Sequence, residues 1–291
     1  MTATDQPIRL AHLSDMHVEP DQTEGPRRRS DLGFARALEA AQALSPAVDF
    51  IVTGGDHIMD ALEKDEASSL RQWDLYLEVL NKYCRLPVYP VIGNHDIFGW
   101  MNTQVSADHP LYGKQMALER LGLVSPYYSF DRGGWHFIVL DNSQPGGRGY
   151  YGGIDPPQLE WFKNDLRQTG KQTPICIISH IPILSVCATQ FFQKGAGITF
   201  WEIPDVFVMK DSRSITDLLH GHNVKLCLSA HIHMRDRIEY QGVTYITTGA
   251  IAANWWKGPF NGVPEGFGVV DFWPDGRFAY DYVATGWQAV E

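Results

Sequence analysis

Five short polar motifs follow apolar runs along this chain, and their side chains could together bind metal ions. The motifs read SDMH, GGDHIMD, GNHD, ISHIP and SAHIH. Carboxylate, imidazole and amide oxygen ligands suit Mn, Fe or Zn better than a cysteine-rich structural site does. Each motif alone occurs by chance, since a histidine beside an apolar run is usually structural, but all five in order argue against coincidence. The candidate residues are Asp15, His17, Asp56, Asn94, His95, Asp96, His180, His231 and His233.

The elements around the first three motifs follow a β-α-β-α-β pattern. Apolar runs from Ile8 to Leu13, in DFIVTGG and in LPVYPVIG predict three strands. Between them, SDLGFARALEAAQAL predicts a helix capped by Ser30 or Asp31, and a second helix is predicted around 66–83. This alternation is typical of a largely parallel sheet, whose strand ends would bring the motifs together at one edge.

The later part of the chain is richer in β-structure. YYSFDRGGWHFIVLDN predicts a hairpin, DPPQLEWFKNDLRQ a helix, and PICIIS and VKLCLS two buried strands. Two more hairpins are predicted to turn at Gln241-Gly242 and Asp275-Gly276. We therefore expect a single domain over 1–291, with an irregular insertion at about 184–214 and a β-rich C-terminal segment from about 235. The insertion could be a lid, a dimer contact or a packed excursion.

Composition excludes several classes of partner. The 291 residues carry 24 Lys and Arg against 34 Asp and Glu, a formal net charge of -10, so the overall field repels nucleic acid polymers. No apolar run is long enough to suggest a membrane span, and no signal peptide is visible. The four cysteines show no CxxC spacing, which favours reduced thiols and a cytoplasmic location.

The ordered motif set resembles the calcineurin-like metallophosphoesterase superfamily, over residues 8 to about 235. The resemblance implies a four-layer αββα sandwich of two mixed sheets flanked by helices. It also implies two divalent or trivalent metal ions, Mn, Fe or Zn. By position, the first ion would be bound by Asp15, His17 and His233, the second by Asn94, His180 and His231, and Asp56 would bridge them.

Details of the motifs indicate which branch of the superfamily the chain resembles. GNHD differs from the GNHE of the Ser/Thr protein phosphatases, and His95 replaces the arginine of the lipid-A pathway hydrolases. The ligating tyrosine of purple acid phosphatases is absent, because 58–60 read Ile-Met-Asp. The chain is thus most similar to the bacterial class III cyclic nucleotide phosphodiesterases and glycerophosphodiesterases. Two departures are Ala230 in place of a glycine and His57 in place of an apolar residue; we expect His57 not to be a metal ligand.

The loop VIGNHDIFGW suggests how the reaction would use its residues. Gly93 and Gly99 would permit backbone angles that a larger residue resists. His95 is the candidate to protonate or stabilise the leaving oxygen, and Asp96 is expected to orient its ring. An alternative for Asp96 is a local loop cap, since aspartate often bonds nearby backbone groups.

Substrate contacts are predicted mainly in AANWWKGPFNG, where adjacent tryptophans and polar residues lie between glycines. An aromatic ring there could stack on a base, and a lysine could contact a phosphate. The alternative is that the tryptophans only fill the core. The candidate substrate contacts are Asn254, Trp255, Trp256 and Lys257, together with His57.

The function favoured by these observations is hydrolysis of a small phosphoester by a binuclear metal centre. A small-molecule phosphodiesterase comes first, and a phosphomonoesterase using the same centre is the alternative. A nuclease would be expected to show a basic track, which this composition lacks. An inactive protein-binding scaffold is a remote alternative, because every ligand position is filled. A homodimer is possible.

Overall fold

Two β-sheets form the centre of the molecule in this computed structural model, which describes residues 6–20, 28–147, 149–191 and 202–289. In chain order the elements are β1 (Ile8–Leu13), α1 (Ser30–Gln42), β2 (Phe50–Thr53), α2 (Glu66–Tyr83), β3 (Val88–Pro90), α3 (Gln115–Leu121), β4 (Tyr128–Arg132), β5 (Trp135–Leu140), β6 (Ser143–Gly146), β7 (Gly149–Gly152), α4 (Pro156–Gln168), β8 (Ile175–Ser179), α5 (Ser212–Leu219), β9 (Val224–Ser229), β10 (Asp236–Tyr240), β11 (Val243–Thr247), β12 (Gly266–Phe272) and β13 (Phe278–Ala284).

Both sheets have parallel strands at their centre and antiparallel strands outside. The five-stranded sheet has the order β13-β12-β1-β2-β3, in which β1, β2 and β3 are parallel. The six-stranded sheet has the order β10-β11-β9-β8-β5-β4, in which β11, β9, β8 and β5 are parallel. A separate hairpin is formed by β6 and β7. The carboxyl ends of two parallel strand sets therefore hold the loops that carry the motifs.

Apolar side chains pack in three layers around these sheets. Between the sheets lies a buried cluster that includes Phe50, Phe137 and Phe272. A second cluster joins α1, α2 and α3 to the outer face of the five-stranded sheet, and a third joins α4 and α5 to the outer face of the six-stranded sheet. The predicted four-layer αββα sandwich of two mixed sheets is confirmed.

The predicted elements agree with the structure except in detail. The N-terminal end of α1 differs from the prediction, because Arg29 is the N-cap. Ser30 lies in the first turn, and its hydroxyl donates to the Glu19 carbonyl oxygen at 2.8 Å. Asp31 also lies in the first turn, so the predicted side-chain cap is wrong. The strand β3 covers only part of LPVYPVIG, whose two prolines offer no N–H to a ladder. The sequence interpretation missed α3 and the β6–β7 hairpin.

Other chain-level predictions have mixed outcomes. The four cysteines are free thiols, as predicted. The predicted insertion at 184–214 lies partly outside the described residues; its described parts include a 3-10 helix at Cys187–Phe191 and the start of α5. The β-rich C-terminal segment is present as β10 to β13. Among the described residues, no helix combines the length and apolar character needed to cross a membrane. A single domain stays a prediction.

Candidate metal centre

The motif side chains meet where the strands of both sheets end. The loops after β1, β2 and β3 bring Asp15, His17, Asp56 and Asn94 from the five-stranded sheet. The loops after β8 and β9 bring His180, His231 and His233 from the six-stranded sheet. The structure thus places together all seven predicted metal ligands, as the shared strand edge predicts.

Five of these residues have a left-handed backbone, which side chains other than glycine seldom adopt. The φ angles are 54° at Asp15, 43° at His17, 53° at Asp56, 72° at His231 and 58° at His233. Each such residue costs on the order of 1 kcal/mol or more and persists only where surrounding contacts enforce it. The loops are pinned to each other, for example by the His17 N–H donating to the Asp56 carbonyl oxygen at 3.0 Å. Clustering of this strain at one site indicates a functional constraint.

The ligand atoms form two groups. In the first, His17 Nε2 is 3.1 Å from His233 Nε2, and Asp15 Oδ1 is 3.4 Å from the same His233 atom.

In the second group, His180 Nε2 is 3.1 Å from Asn94 Oδ1 and 3.1 Å from His231 Nδ1. Asp56 Oδ2 lies between the groups, 3.7 Å from His17 Nε2 and 3.2 Å from His180 Nε2. This is the place expected of a carboxylate shared by two ions.

Backbone carbonyl groups fix which nitrogen of three imidazoles faces inward. His180 Nδ1 is 2.8 Å from the Gly54 carbonyl oxygen, His231 Nε2 is 2.8 Å from that of Val206, and His233 Nδ1 is 2.5 Å from that of Ala253. A carbonyl can only accept, so each outer nitrogen carries the proton. The inner nitrogens then present lone pairs, which is the arrangement that metal-binding histidines require.

The residues fit a metal centre by their donor chemistry as well as their spacing. Protein ligands bind transition metals at about 2.0–2.2 Å, so two ligands of one ion lie roughly 3–3.5 Å apart. The inner atoms of both groups meet that spacing. Asp15 Oδ1 is buried without a hydrogen-bond partner, a costly state for a carboxylate that a cation would relieve. Three clusters of His and acidic ligand atoms overlap here.

Electrostatics favour the metal-binding protonation state at Asp15, Asp56 and His231 and oppose it at His180. Burial alone would raise the pKa of Asp15 and Asp56, but neighbouring histidines hold both below their ordinary value, so both stay ionised. Burial, helped by His180, lowers the pKa of His231 to about 3, which keeps that ring neutral. Burial opposes a charge on His180, yet Asp56 and Asp15 raise its pKa to about 9. Metal binding would release this proton.

The GNHD loop approaches the ligand Asp56 closely. A Cβ atom at Gly93 would lie 2.2 Å from Asp56 Oδ1 and 2.3 Å from its backbone nitrogen. A glycine is therefore required at position 93 by this close approach. The predicted need for unusual backbone angles is wrong at Gly93, whose φ is not positive, and correct at Gly99, whose φ is 80°. The Asp56 Oδ1 atom also accepts the His95 N–H at 2.8 Å.

Asp96 does not orient His95, so that prediction is wrong. Its buried carboxylate accepts backbone N–H groups from Gly93 at 2.8 Å, Asp56 at 3.1 Å and His57 at 2.8 Å. It also accepts the Ile58 N–H at 3.4 Å and lies 2.9 Å from His57 Nδ1. Asp96 is thus the loop cap of the alternative interpretation, because it ties the second and third motifs together through their backbones.

His57 is not a substrate contact, contrary to the prediction, and its expected non-ligand role fits its position. The ring is fully buried and held by Asp96 on one nitrogen and by Thr53 Oγ1, 2.8 Å from the other. Trp73 and Tyr76 pack around it.

His95 lies at the mouth of the site. Its side chain is 29% exposed, its ring centroid is 4.8 Å from that of His17, and its Nδ1 is 4.0 Å from Asp60 Oδ1. It lines a pocket of about 590 Å³ together with Asn94, Asp60 and Tyr150. Besides Asp56, the carboxylate near His95 is therefore that of Asp60, which ends the GGDHIMD motif but was not among the predicted site residues.

The predicted tryptophan segment divides into a core residue and a site residue. Trp256 is buried, donates from Nε1 to the Met16 carbonyl oxygen at 3.0 Å, and packs so tightly on α1 that a Cβ at Gly33 would meet its ring at 2.1 Å. Its predicted substrate role is wrong, and the core alternative is correct. Trp255 is half-buried, with its ring centroid 4.8 Å from His233 and 6.0 Å from His17.

The two polar residues of this segment remain predicted contacts. Asn254 is half-buried and its carbonyl oxygen accepts the Lys257 N–H at 3.0 Å, while the Lys257 side chain is exposed. The structure brings neither into contact with the ligand groups.

Comparisons with known proteins agree with this geometry. Residues 8–235 match the family described as Calcineurin-like phosphoesterase. The chain belongs to that family. This metallophosphoesterase is 26% identical over 242 residues to a 3′,5′-cyclic-nucleotide phosphodiesterase of Nostoc sp., covering 82% of this chain and 77% of that protein. It is 22% identical over 238 residues to a probable cyclic nucleotide phosphodiesterase of Rhodococcus erythropolis, covering 80% and 67% of the two chains.

A solved structure shows the same fold. A dimetal phosphatase from Danio rerio superposes with a TM-score of 0.66 at 17% identity, covering 97% of both chains. At that identity the likeness concerns the fold alone. Family membership makes the protein a metal-dependent phosphoesterase and implies two metal ions.

Proposed function

We propose that this metallophosphoesterase hydrolyses small phosphodiesters with two metal ions. The observation that carries the proposal is the pair of ligand groups that share Asp56, with His95 beside them at the mouth of a 590 Å³ pocket. The proposed ligands are Asp15, His17 and His233 for one ion, Asn94, His180 and His231 for the other, and Asp56 for both.

The chain's own residues divide the chemistry between them. When bound, the two ions supply Lewis acidity toward the phosphoryl oxygens and activate water. The carbonyl groups behind the histidines accept the proton of each outer nitrogen, so in the neutral ring the inner nitrogen is the one left to bind metal. His95, with Nδ1 toward Asp60, gives the proton on its other ring nitrogen to the leaving oxygen. Trp255 forms an apolar wall beside His17 and His233, where a base or other ring could stack.

The substrate we favour is a cyclic nucleotide or a glycerophosphodiester. The pocket beside His95 is lined by polar groups such as Arg28, Asp60 and Lys64, which suit a sugar or polyol arm. Cyclic-nucleotide phosphodiesterases among the relatives support the same class. The net charge of -10 argues against a nucleic acid polymer. A cytoplasmic location, the absence of membrane binding and a possible homodimer stay predictions.

The test is a parallel assay of Mn-loaded protein on bis(p-nitrophenyl) phosphate, p-nitrophenyl phosphate and 3′,5′-cyclic AMP. Diester turnover well above monoester turnover supports the proposal, and monoester preference moves the assignment to the phosphomonoesterase alternative. Asn94→Ala should lose diester turnover together with bound metal. Asn223→Ala is the matched control, because Asn223 donates to the Gln172 carbonyl oxygen at the opposite end of the six-stranded sheet.

Metal content separates an enzyme from the scaffold alternative. Purified wild-type protein should hold close to two ions per chain after loading, as measured by plasma mass spectrometry. A protein that binds no metal and turns over none of the three substrates would be inconsistent with the proposal.

A further inference from the structure

Tyr150, on β7, lies at the metal centre although no motif marks it. Its ring centroid is 6.2 Å from that of His231 in an edge-on arrangement. It lines the 590 Å³ pocket with Asn94 and His95, and it also lines a neighbouring cavity of about 360 Å³. The residue therefore stands beside the ligands of one ion and borders the space that a substrate would fill.

The Tyr150 hydroxyl has no hydrogen-bond partner within the described parts of the chain, although its ring is partly buried against the core. Buried or half-buried tyrosine hydroxyls usually find a partner. By comparison, the hydroxyls of Tyr128 and Tyr282 donate to the carbonyl oxygens of Pro90 and Pro264. A hydroxyl left free beside a metal centre is available to a ligand.

The Tyr150 hydroxyl is protonated near neutral pH. The ordinary pKa of a tyrosine is about 10, well above that range. The side chain is therefore a hydrogen-bond donor under ordinary conditions. A neutral donor suits a phosphoryl oxygen, which is negatively charged and only accepts.

The hairpin that carries Tyr150 is anchored to the ligand loops. Gly153, just after β7, donates its N–H to the Asn142 carbonyl oxygen at 3.0 Å. The Asn142 side chain in turn bonds both the N–H and the carbonyl oxygen of Ile181, the residue after the ligand His180. Tyr150 therefore has a fixed position relative to that loop, as a donor that acts in the transition state requires.

We propose that Tyr150 binds the substrate by donating a hydrogen bond to a non-bridging phosphoryl oxygen. This inference rests on the proposed function, since it assumes a phosphoester at the metal centre. It adds a contact that is independent of the ions and of His95. The ligand class it recognises is a tetrahedral oxyanion, either a phosphoester or the inorganic phosphate left as a product analogue.

The test is Tyr150→Phe, which removes only the hydroxyl, in the Mn-loaded protein. Loss of a hydrogen bond to a charged group should lower kcat/KM for bis(p-nitrophenyl) phosphate about 10- to 100-fold. Inorganic phosphate should bind more weakly by about tenfold when titrated calorimetrically. Metal content should not change. Tyr240→Phe is the matched control: Tyr240 ends β10, is 47% exposed and lines neither of the two pockets that Tyr150 borders, so this variant should keep wild-type values.

The outcomes separate this inference from the proposed function. If wild-type protein turns over the diester and Tyr150→Phe matches it within twofold in both turnover and phosphate binding, Tyr150 has no such role. If wild-type protein turns over no phosphoester, the proposed function fails, and the phosphate titration alone decides the role of Tyr150. Weaker phosphate binding in Tyr150→Phe but not in Tyr240→Phe would support it in either case.

Discussion

His95 carries the part of the proposed reaction that metal ligands cannot supply, the proton for the leaving oxygen. His95→Ala should lower kcat on 3′,5′-cyclic AMP by about 100-fold or more, since general acid catalysis is worth about that much. The loss on bis(p-nitrophenyl) phosphate should be much smaller, because p-nitrophenolate is a stable leaving group that needs no proton. Both rates are measured on protein of verified metal content.

The contrast between leaving groups is what makes the prediction specific. Asp60→Asn should show the same pattern at a smaller amplitude, because Asp60 lies 4.0 Å from His95 Nδ1 and acts through that ring. Asp96→Asn should instead reduce stability or metal content, since its carboxylate accepts four backbone N–H groups. Equal losses of His95→Ala on both substrates would contradict a proton-donor role.

At this scale, sequence predicts residues that belong to motifs and misses those that do not. The seven ligand candidates follow strands, so their meeting point could be inferred from strand direction alone. The contact between Asp96 and His57 could not be inferred from the sequence, because adjacency in the chain does not determine where a carboxylate points on a tight loop. Tyr150 reaches the site through contacts between distant segments, which leave no local signal. Asp60 ends the GGDHIMD motif, but the motif does not show that its carboxylate lies near His95 of the next motif.

Among the elements, the β4–β5 hairpin is joined to α4 by a charged histidine. His136 Nδ1 is 2.7 Å from Asp131 on β4, and Nε2 is 2.9 Å from Asp165 on α4. Burial would lower the pKa of His136, but its bonds to Asp165 and Asp131 raise it above 6.5 overall. The charged ring therefore stabilises the fold fully below the unfolded pKa of about 6.5, and this stabilisation is lost as pH rises through the folded pKa.

We expect His136→Gln to be less stable than wild type by about 1–2 kcal/mol near pH 5.5, an amount limited because Asp131 is largely exposed. The difference should shrink toward pH 8.5. Urea unfolding at several pH values measures it, and Asp165→Asn should remove most of the same pH dependence. A difference that stays constant from pH 5.5 to 8.5 would show that the charge on His136 contributes nothing.

Strands and helices with strong periodicity were predictable, whereas short elements were not. The bounds of β1 and α2 coincide with the predicted runs because apolar spacing and flanking polar residues agree there. The hairpin β6–β7 reads SQPG and GYYG, which lack apolar alternation, so the Pro-Gly and Gly-Gly dipeptides there indicate a turn without predicting strands on either side. Arg29 as the cap of α1 could not be foreseen, since residues other than glycine seldom adopt its left-handed φ of 47°.

In the whole molecule, the candidate metal centre is a junction between the two sheets. Four proposed ligands come from the five-stranded sheet and three from the six-stranded sheet. The αββα layering followed from the resemblance and the strand pattern, but the strand order and the pairing of β12 with β1 depend on contacts between the two ends of the chain. Bound metal would hold together groups that the chain itself brings close at a cost in backbone strain.

Removing metal should therefore lower the stability of the whole protein. A ligand present at 1,000 times its Kd stabilises the folded state by about 4 kcal/mol, which for a chain of this size corresponds to roughly 7 °C in Tm. We expect EDTA treatment to lower Tm by about that amount in thermal melts followed by circular dichroism, and Mn to restore it. His95→Ala, which removes no proposed ligand, should keep the full difference. His231→Ala should lose at least half of it, because one ligand group is then incomplete. An EDTA effect of equal size in wild type and His231→Ala would mean that the metal acts elsewhere, since a site formed by both sheets cannot lose a buried ligand without losing stabilisation.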